Sequence, residues 1–166
     1  MIISKTIEID AATLEPTVSR PHTVDNTVLA KDLKGVKIHQ VFLGTCTNGR
    51  IEDFRAAAKM LRGKDVAPHV RLIVIPATQE IFLQMIKEGI LQVFIESGGT
   101  VSPPTCGPCI GGHMGILAEN EVGLYTTNRN FKGRNGHHTS RVYLSSPLVA
   151  AASAITGVIT DPRSIN

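Results

Sequence analysis

Residues 36–61, which decide the fold, read VKIHQVFLGTCTNGRIEDFRAAAKML. Their first part, Val36 to Leu43, is a largely apolar run that predicts a buried β-strand, and Gly44 ends it. From Ile51 to Leu61 the apolar residues recur every three or four positions, which predicts an amphipathic helix. The loop between the predicted strand and the predicted helix carries Cys46. This stretch therefore predicts a strand, a loop with a cysteine, and a helix.

The same pattern recurs along the rest of the chain. Val70 to Ile75 predicts a second buried strand, and a helix is expected to begin near Thr78. Val122 to Thr127 predicts a further strand, and the alanine-rich run from Leu148 to Ile155 predicts the last helix. Asn48 is expected to cap the first helix. Strands that alternate with helices favour an α/β fold, which we expect to be a three-layer α/β/α arrangement with a mainly parallel sheet.

The composition predicts a single domain. The 166 residues are 42% hydrophobic, which is enough for one sizeable core. We expect residues 1–34 to form an extended lead-in segment and residues 35–166 to form one α/β domain. The odd number of cysteines and the lack of a leader-like pattern at residues 1–5 favour a reducing compartment, hence a soluble, cytoplasmic protein. The longest apolar run, Leu148 to Ile159, is too short to span a bilayer.

The positive charge is concentrated in one stretch. The formal net charge is only +3, but residues 128–134 carry two arginines and a lysine, which suit a small anion. The chain has five Phe, two Tyr and no Trp, so it offers few side chains on which bases could stack. We therefore expect a small anionic ligand, and neither nucleic acid nor a membrane, as the partner of this chain.

Three cysteines are the main candidates for chemistry. Cys46, Cys106 and Cys109 lie in predicted loops, and ligands of parallel α/β sheets gather in the loops beyond the carboxyl ends of the strands. Three thiolates could hold an iron-sulfur cluster and leave one iron open to a substrate. Other interpretations stay open: buried structural cysteines, a thioredoxin-like dithiol at Cys106 and Cys109, or a zinc site that His113 completes.

Four motifs occur in a fixed order between about residues 35 and 160. They are Gly-Thr-Cys-Thr-Asn-Gly-Arg at 44–50, Cys-Gly-Pro-Cys-Ile-Gly-Gly at 106–112, Asn-Arg-Asn-Phe-Lys-Gly-Arg at 128–134, and Ser-Ser-Pro at 145–147. Together they resemble the aconitase superfamily, most closely the large subunits of its 3-isopropylmalate dehydratase and homoaconitase branch. The resemblance covers only the C-terminal (third) domain of such subunits, and it implies a fold like that of aconitase domain 3.

The resemblance implies a 4Fe-4S cluster held by three cysteines and a substrate held by one asparagine and two arginines. The cluster ligands are then Cys46, Cys106 and Cys109. The substrate-binding residues are then Asn128, Arg129 and Arg134. An exposed iron would act as the Lewis acid that lets hydroxide leave a 2-hydroxy acid. The implied activity is that of a hydro-lyase, in the favoured case the isomerisation of 2-isopropylmalate to 3-isopropylmalate in leucine biosynthesis, with a homoaconitase or an aconitase as alternatives.

The resemblance also implies parts that lie outside these residues. Complete large subunits are more than twice as long, their N-terminal domains contribute to the active site, and a small (swivel) subunit brings the catalytic base. We therefore expect no catalytic base in this chain, no turnover by the chain alone, and a Met1 that is a fragment boundary or an artificial start. The missing domains normally shield the cluster, so in such a fragment an exposed cubane is expected to be easily oxidised in air. Outside the family, a thioredoxin-like Cys-Gly-Pro-Cys oxidoreductase and a metal-binding module stay open.

Overall fold

A computed structural model describes residues 5–165 of the chain. The predicted segments 1–34 and 35–166 extend to residues 1–4 and 166, which lie outside the described residues. The described part folds into a seven-stranded sheet with four α-helices. The strands are β1 (Thr17–Ser19), β2 (Thr27–Leu29), β3 (Gln40–Gly44), β4 (Arg71–Ile75), β5 (Thr100–Val101), β6 (Val122–Tyr125) and β7 (Arg141–Ser145). The helices are α1 (Ile51–Leu61), α2 (Gln79–Lys87), α3 (Ile90–Glu96) and α4 (Pro147–Thr156).

The sheet is mainly parallel. Its strand order is β2-β1-β7-β6-β3-β4-β5, and the five strands from β7 to β5 run parallel to one another. β1 pairs antiparallel with β7 on one side and with β2 on the other, and β2 forms the edge of the sheet. The predicted α/β fold with a mainly parallel sheet is therefore confirmed.

All four α-helices bury their apolar residues in the same cluster. Phe54 and Leu61 of α1 join Phe94 of α3 and Val149 of α4 there, against one face of the sheet. The rings of Phe54 and Phe94 meet edge to face at 6.1 Å, and burying one such ring stabilises the fold by about 2–3 kcal/mol. The helices thus form one layer of the fold.

The opposite face of the sheet has a different covering layer. Because strand side chains alternate between faces, Phe42, Ile75 and Tyr125 form a second cluster with Leu117. Leu117 belongs to the segment between β5 and β6, which also contains the short 3-10 helix Gly107–Ile110. The third layer of the fold is therefore this mostly irregular segment, and it brings the Cys106–Cys109 turn onto the sheet.

The lead-in segment, predicted to be extended, contains the two strands β1 and β2 of the sheet. Val18 of β1 pairs with Ser145 of β7, and Val28 of β2 pairs with Val18. The two strands are three residues each, so the sequence offers too little periodicity to reveal them. The division of the chain near residue 34 stays a prediction. Within residues 5–165, no helix combines the length and the apolar character needed to cross a membrane.

The order of the parallel strands opens a crevice at one end of the sheet. From β3 the chain adds β4 and then β5 on one side, and later it returns to add β6 and β7 on the other side. β3 and β6 are neighbours, but the chain leaves them toward opposite sides of the sheet. Open α/β sheets bind ligands between the loops that follow two such strands. These are the loops that carry Cys46 and Asn128.

Candidate functional site

The Cys46 loop is fixed at both ends by backbone contacts. A Cβ at Gly44 would collide with the carbonyl oxygen of Ile75, so β3 passes β4 too closely for a side chain. The next residue, Thr45, donates its N–H to that same oxygen at 3.2 Å. Its hydroxyl accepts hydrogen bonds from the N–H groups of Thr47 at 3.3 Å and of Asn48 at 3.2 Å. The turn that these bonds close leaves Cys46 exposed at the crevice.

Asn48 does not cap α1, so that prediction is wrong. The residue at the N-cap is Arg50, whose side chain makes no capping bond. The amide of Asn48 donates instead to the carbonyl oxygen of Thr126 and to Oδ1 of Asn128. Asn48 therefore joins the loop after β3 to the loop after β6.

Cys106 and Cys109 lie in a tight turn. The N–H of Cys109 donates to the carbonyl oxygen of Cys106 at 3.1 Å, within the 3-10 helix Gly107–Ile110. Gly107 has φ +50°, and a Cβ there would lie 2.7 Å from the side chain of Ile75. The absence of a side chain at this position therefore allows the turn to lie directly on the sheet.

All three cysteines line one pocket of about 250 Å³. None of them forms a disulfide, and Cys106 and Cys46 are exposed while Cys109 is half-buried. The other residues of the wall are Thr45, Pro76, Ala77, Pro104 and Thr105. Cys46 comes from a segment 60 positions before Cys106, so the fold brings together thiols that are remote in sequence.

The thiols influence one another across this pocket. Burial raises the pKa of the Cys106 thiol, and the neighbouring thiols of Cys109 and Cys46 raise it further. Arg134 acts in the opposite direction, because its positive charge favours the thiolate. Without a bound cation, the pocket therefore favours the protonated form of Cys106.

Asn128 and Arg134 reach this site from the loop after β6. Asn128 accepts from Asn48 at 2.7 Å and donates to the hydroxyl of Thr47 at 2.6 Å, on the residue next to Cys46. Nη2 of Arg134 lies 3.7 Å from Sγ of Cys109. The same guanidinium lies 5.2 Å from the centre of the Phe131 ring. Asn128 thus contacts the Cys46 loop, whereas Arg134 contacts Cys109 itself.

No contact connects Arg129 to the pocket. The residue is exposed, and its guanidinium makes no hydrogen bond or ion pair with any other residue between 5 and 165. Its backbone carbonyl accepts from the hydroxyl of Thr127 at 3.5 Å. The expectation that Arg129 binds substrate therefore stays a prediction. It depends on an exposed guanidinium in the loop that follows β6.

Sequence reasoning missed two buried asparagines in the same loop. Asn130 and Asn135 are each only 1% exposed. Asn130 donates to the carbonyl oxygen of Val142 at 3.1 Å, and Asn135 donates to that of Pro108 at 2.7 Å. Each asparagine holds a segment that lies at least twelve residues away, so the local sequence carries no signal for either contact.

The structure does not favour a single zinc ion. Among residues 5–165, no group of three or more His, Cys, Asp and Glu side chains is arranged so that it could hold one metal ion. The ring of His113 instead makes a hydrogen bond with the hydroxyl of Thr105 at 3.0 Å. A cubane cluster has a different requirement, because each thiolate binds a different iron and the ligands stand further apart.

A thioredoxin-like dithiol is not favoured either. Such a pair has its reactive thiolate stabilised at the start of an α-helix, which lowers the thiol pKa. Here the pair lies in a four-residue 3-10 helix, and the pKa of Cys106 is raised. The Cys106–Cys109 pair therefore lacks the α-helix N-terminus that stabilises the thiolate of a thioredoxin-like dithiol.

Comparison with known proteins adds an independent observation. The model of the aconitase family (aconitate hydratase) matches residues 25–157. The chain is 58% identical over 161 residues to the 3-isopropylmalate dehydratase large subunit of Clostridium kluyveri, which covers 97% of this chain. It is 60% identical over 157 residues to the one of Clostridium botulinum, and 54% identical over 163 residues to large subunit 1 of Pyrococcus furiosus. These matches cover 95% and 97% of the chain.

The matched region is only a part of each relative. The chain spans 38% of the length of each of these large subunits. The similarity therefore extends over nearly all of this chain but over less than half of each relative.

Proposed function

The chain belongs to the aconitase family, and from this premise we propose that it is the cluster-binding domain of a hydro-lyase large subunit. The substrate is a 2-hydroxy di- or tricarboxylic acid, and the reaction moves its hydroxyl group by dehydration and rehydration. The observation that carries the proposal is the shared pocket of Cys46, Cys106 and Cys109, with Arg134 beside Cys109.

The thiols of the pocket fit a 4Fe-4S cluster. Thiolates are the usual ligands of such clusters, and all three cysteines are free. Cys46, Cys106 and Cys109 would hold the cluster and leave one iron without a protein ligand. That iron would supply a Lewis acid for the loss of hydroxide from the substrate. Because thiols must lose their protons to bind iron, the raised pKa of Cys106 implies proton release on binding.

The arginines and the asparagine of the loop after β6 would hold the substrate. A guanidinium can bind a carboxylate through two parallel hydrogen bonds, which fixes both its position and its orientation. Arg134 is anchored beside Cys109, and Nε of Arg134 is buried without a partner among residues 5–165. Arg129 is exposed and unpaired within the same described range, and Asn128 lies beside the Cys46 loop. We assign the substrate carboxylates to these three side chains.

The favoured substrate is 2-isopropylmalate, and the product is 3-isopropylmalate, an isomerisation in leucine biosynthesis. The names of the relatives support this choice over citrate or homocitrate. We assign the catalytic base and the recognition of the substrate side chain to parts outside this chain: the rest of the large subunit and a small (swivel) subunit. We also propose a cytoplasmic location, in keeping with three free cysteines.

The proposal is tested by activity in the complete assembly. A complete large subunit that contains these residues is mixed with a small subunit, and the conversion of 2-isopropylmalate is followed by separating the two isomers. We expect turnover there and none from the 166-residue chain alone. Arg134→Lys keeps the charge but loses the paired hydrogen bonds, so kcat/KM should fall about a hundredfold.

Arg163→Lys is the matched control. Arg163 also binds carboxylates, those of Asp161 and Glu15, but it is not part of the cysteine pocket. Its substitution should leave kcat/KM within about twofold of the parent. Full activity of Arg134→Lys, or turnover by the chain alone, would contradict the proposal.

A further inference from the structure

Asn135 connects the loop of the arginines to the turn of the cysteines. Its side chain is buried, and Nδ2 donates to the carbonyl oxygens of Pro108 at 2.7 Å and Cys109 at 3.1 Å. Those two carbonyls belong to the 3-10 helix Gly107–Ile110. The carbonyl oxygen of Pro108 also accepts from the N–H of Gly111 at 3.1 Å, within the turn itself. The bonds from Asn135 are therefore the ones that tie the turn to the other loop, and losing them costs free energy at two carbonyl groups.

The amide nitrogen of Asn135 carries this connection alone. Its Oδ1 is buried and has no partner among residues 5–165. Asn135→Ala removes the donor without adding a charge, whereas Asn135→Asp keeps the shape but places a carboxylate against the two carbonyl oxygens. An effect that both substitutions share therefore reports the loss of the two hydrogen bonds.

The backbone around Asn135 is held as firmly as its side chain. Its carbonyl oxygen accepts from the N–H of Leu117 at 3.0 Å. A Cβ at Gly111, just after the cysteine turn, would lie 3.0 Å from the carbonyl oxygen of Arg134. The two loops thus pack backbone against backbone, and Asn135 lies at the centre of their contact.

This contact lies next to Cys109, which lines the pocket, and next to Arg134, which touches the Cys109 thiol. Cys109 is one of the residues that Asn135 binds, and Arg134 immediately precedes Asn135 in sequence. Nη2 of Arg134 lies 3.7 Å from Sγ of Cys109. A shift of the cysteine turn relative to the arginine loop would therefore change this distance directly.

We propose that Asn135 is a positioning residue that holds the cysteine turn against the arginine loop and so sets the position of the Cys109 thiol relative to the Arg134 guanidinium. It touches neither of the two reactive groups through its own side-chain atoms, and it acts through the main chain of both loops. The expected effect of Asn135 on a bound cluster rests on the proposed function. The effect of Asn135 on the position of Cys109 does not depend on that function.

Asn130 provides a matched control within the same loop. It is as buried as Asn135, it also donates through Nδ2, and its Oδ1 also has no partner among residues 5–165. Its contacts are the carbonyl oxygens of Val142, Arg20 and Thr23, away from the cysteine turn. Substituting Asn130 should therefore destabilise the loop without releasing Cys109.

The experiment compares Asn135→Ala and Asn135→Asp with Asn130→Ala in the complete large subunit. In the cluster-free protein, the rate of iodoacetamide labelling is measured separately at Cys109 and Cys46 by mass spectrometry. We expect both Asn135 variants to raise the ratio of the Cys109 rate to the Cys46 rate about fivefold, and Asn130→Ala to leave it within about twofold. Anaerobically reconstituted samples should show a changed low-temperature EPR spectrum for the Asn135 variants only.

The outcomes separate the two proposals. If the parent protein binds no cluster, the proposed function fails, and the labelling ratio still decides the role of Asn135. If the parent binds a cluster but the labelling ratio changes equally in the Asn135 and Asn130 variants, the positioning role is overturned. Asn135→Asp retains the size of the side chain, so it provides the ratio if Asn135→Ala does not fold.

Discussion

Gly44 is the position at which a single methyl group would disturb the Cys46 loop most. Its φ is +111°, and a Cβ there would collide with the backbone oxygen of Ile75. Gly63 has a comparable φ of +71°, but no atom lies within 4 Å of the place that a Cβ would take, so it isolates the effect of φ. We expect Gly44→Ala to lower the free energy of unfolding by about 3 kcal/mol and Gly63→Ala by about 1 kcal/mol.

Urea unfolding of both variants measures this difference. The larger loss at Gly44 follows because the backbone of β4 cannot move aside without breaking the parallel ladder of β3 and β4. Equal losses in the two variants would mean that the close approach of the strands does not constrain the loop.

At the same scale, the residues of the site differ in how far the sequence reveals them. The type and spacing of the cysteines and of Arg134 single them out in the sequence. The structure brings the three cysteines to one pocket and places Arg134 beside Cys109. Asn135 and Asn130 have no such signal, because their roles depend on carbonyl groups from remote segments. The sequence therefore identifies the reactive side chains, whereas the residues that position these side chains are recognised only in the folded structure.

At the scale of elements, the sequence predicted α1, α2 and α4, but it predicted neither the short helix α3 nor the short strands β1 and β2. The predicted N-terminus of α2 at Thr78 is confirmed, since the hydroxyl of Thr78 accepts from the N–H of Ile81 at 3.3 Å. The predicted end of the last helix is close to its observed end at Thr156. The strand β7 was missed, because only Val142, Tyr143 and Leu144 in it are apolar and a polar loop precedes them.

The ion pair between β4 and the start of β6 gives an element-scale prediction about pH. Glu121 binds Arg71 through two hydrogen bonds of 2.8 and 2.6 Å, and these bonds lower the pKa of the Glu121 carboxyl below its usual 4.5. A carboxyl with a lowered pKa in the folded state stabilises the fold above its unfolded pKa. That stabilisation is lost as the pH falls through the folded-state pKa.

We therefore expect Glu121→Gln to lower the free energy of unfolding by about 0.5–1 kcal/mol at pH 7, since Arg71 is partly exposed to solvent. As the pH falls below the usual carboxyl value of 4.5, this difference should shrink, because the stabilisation is lost when Glu121 becomes protonated in the folded state. Glu119→Gln is the control, because Glu119 is exposed and its side chain makes no hydrogen bond or ion pair with residues 5–165. Urea unfolding across this pH range checks the prediction, and a constant difference between parent and Glu121→Gln would refute it.

At the scale of the whole molecule, the strand order explains how distant motifs meet. The chain leaves β3 toward β4 and β5 and then returns to β6, so loops that are 80 positions apart face each other at one end of the sheet. The cysteine turn reaches the same place from the opposite layer, through its contact with Ile75. Local sequence patterns predict each strand, but they do not contain this order.

The central claim is that one pocket built by this topology holds one cubane cluster through three thiolates. The most direct measurement is anaerobic reconstitution of the chain with iron and sulfide, followed by counting both elements and recording low-temperature EPR. We predict four irons and four sulfides per chain in the parent, as a single 4Fe-4S cluster requires, and loss of stoichiometric iron in Cys106→Ser. A parent protein that holds no stoichiometric iron, or a Cys106→Ser variant that holds as much as the parent, would contradict the claim.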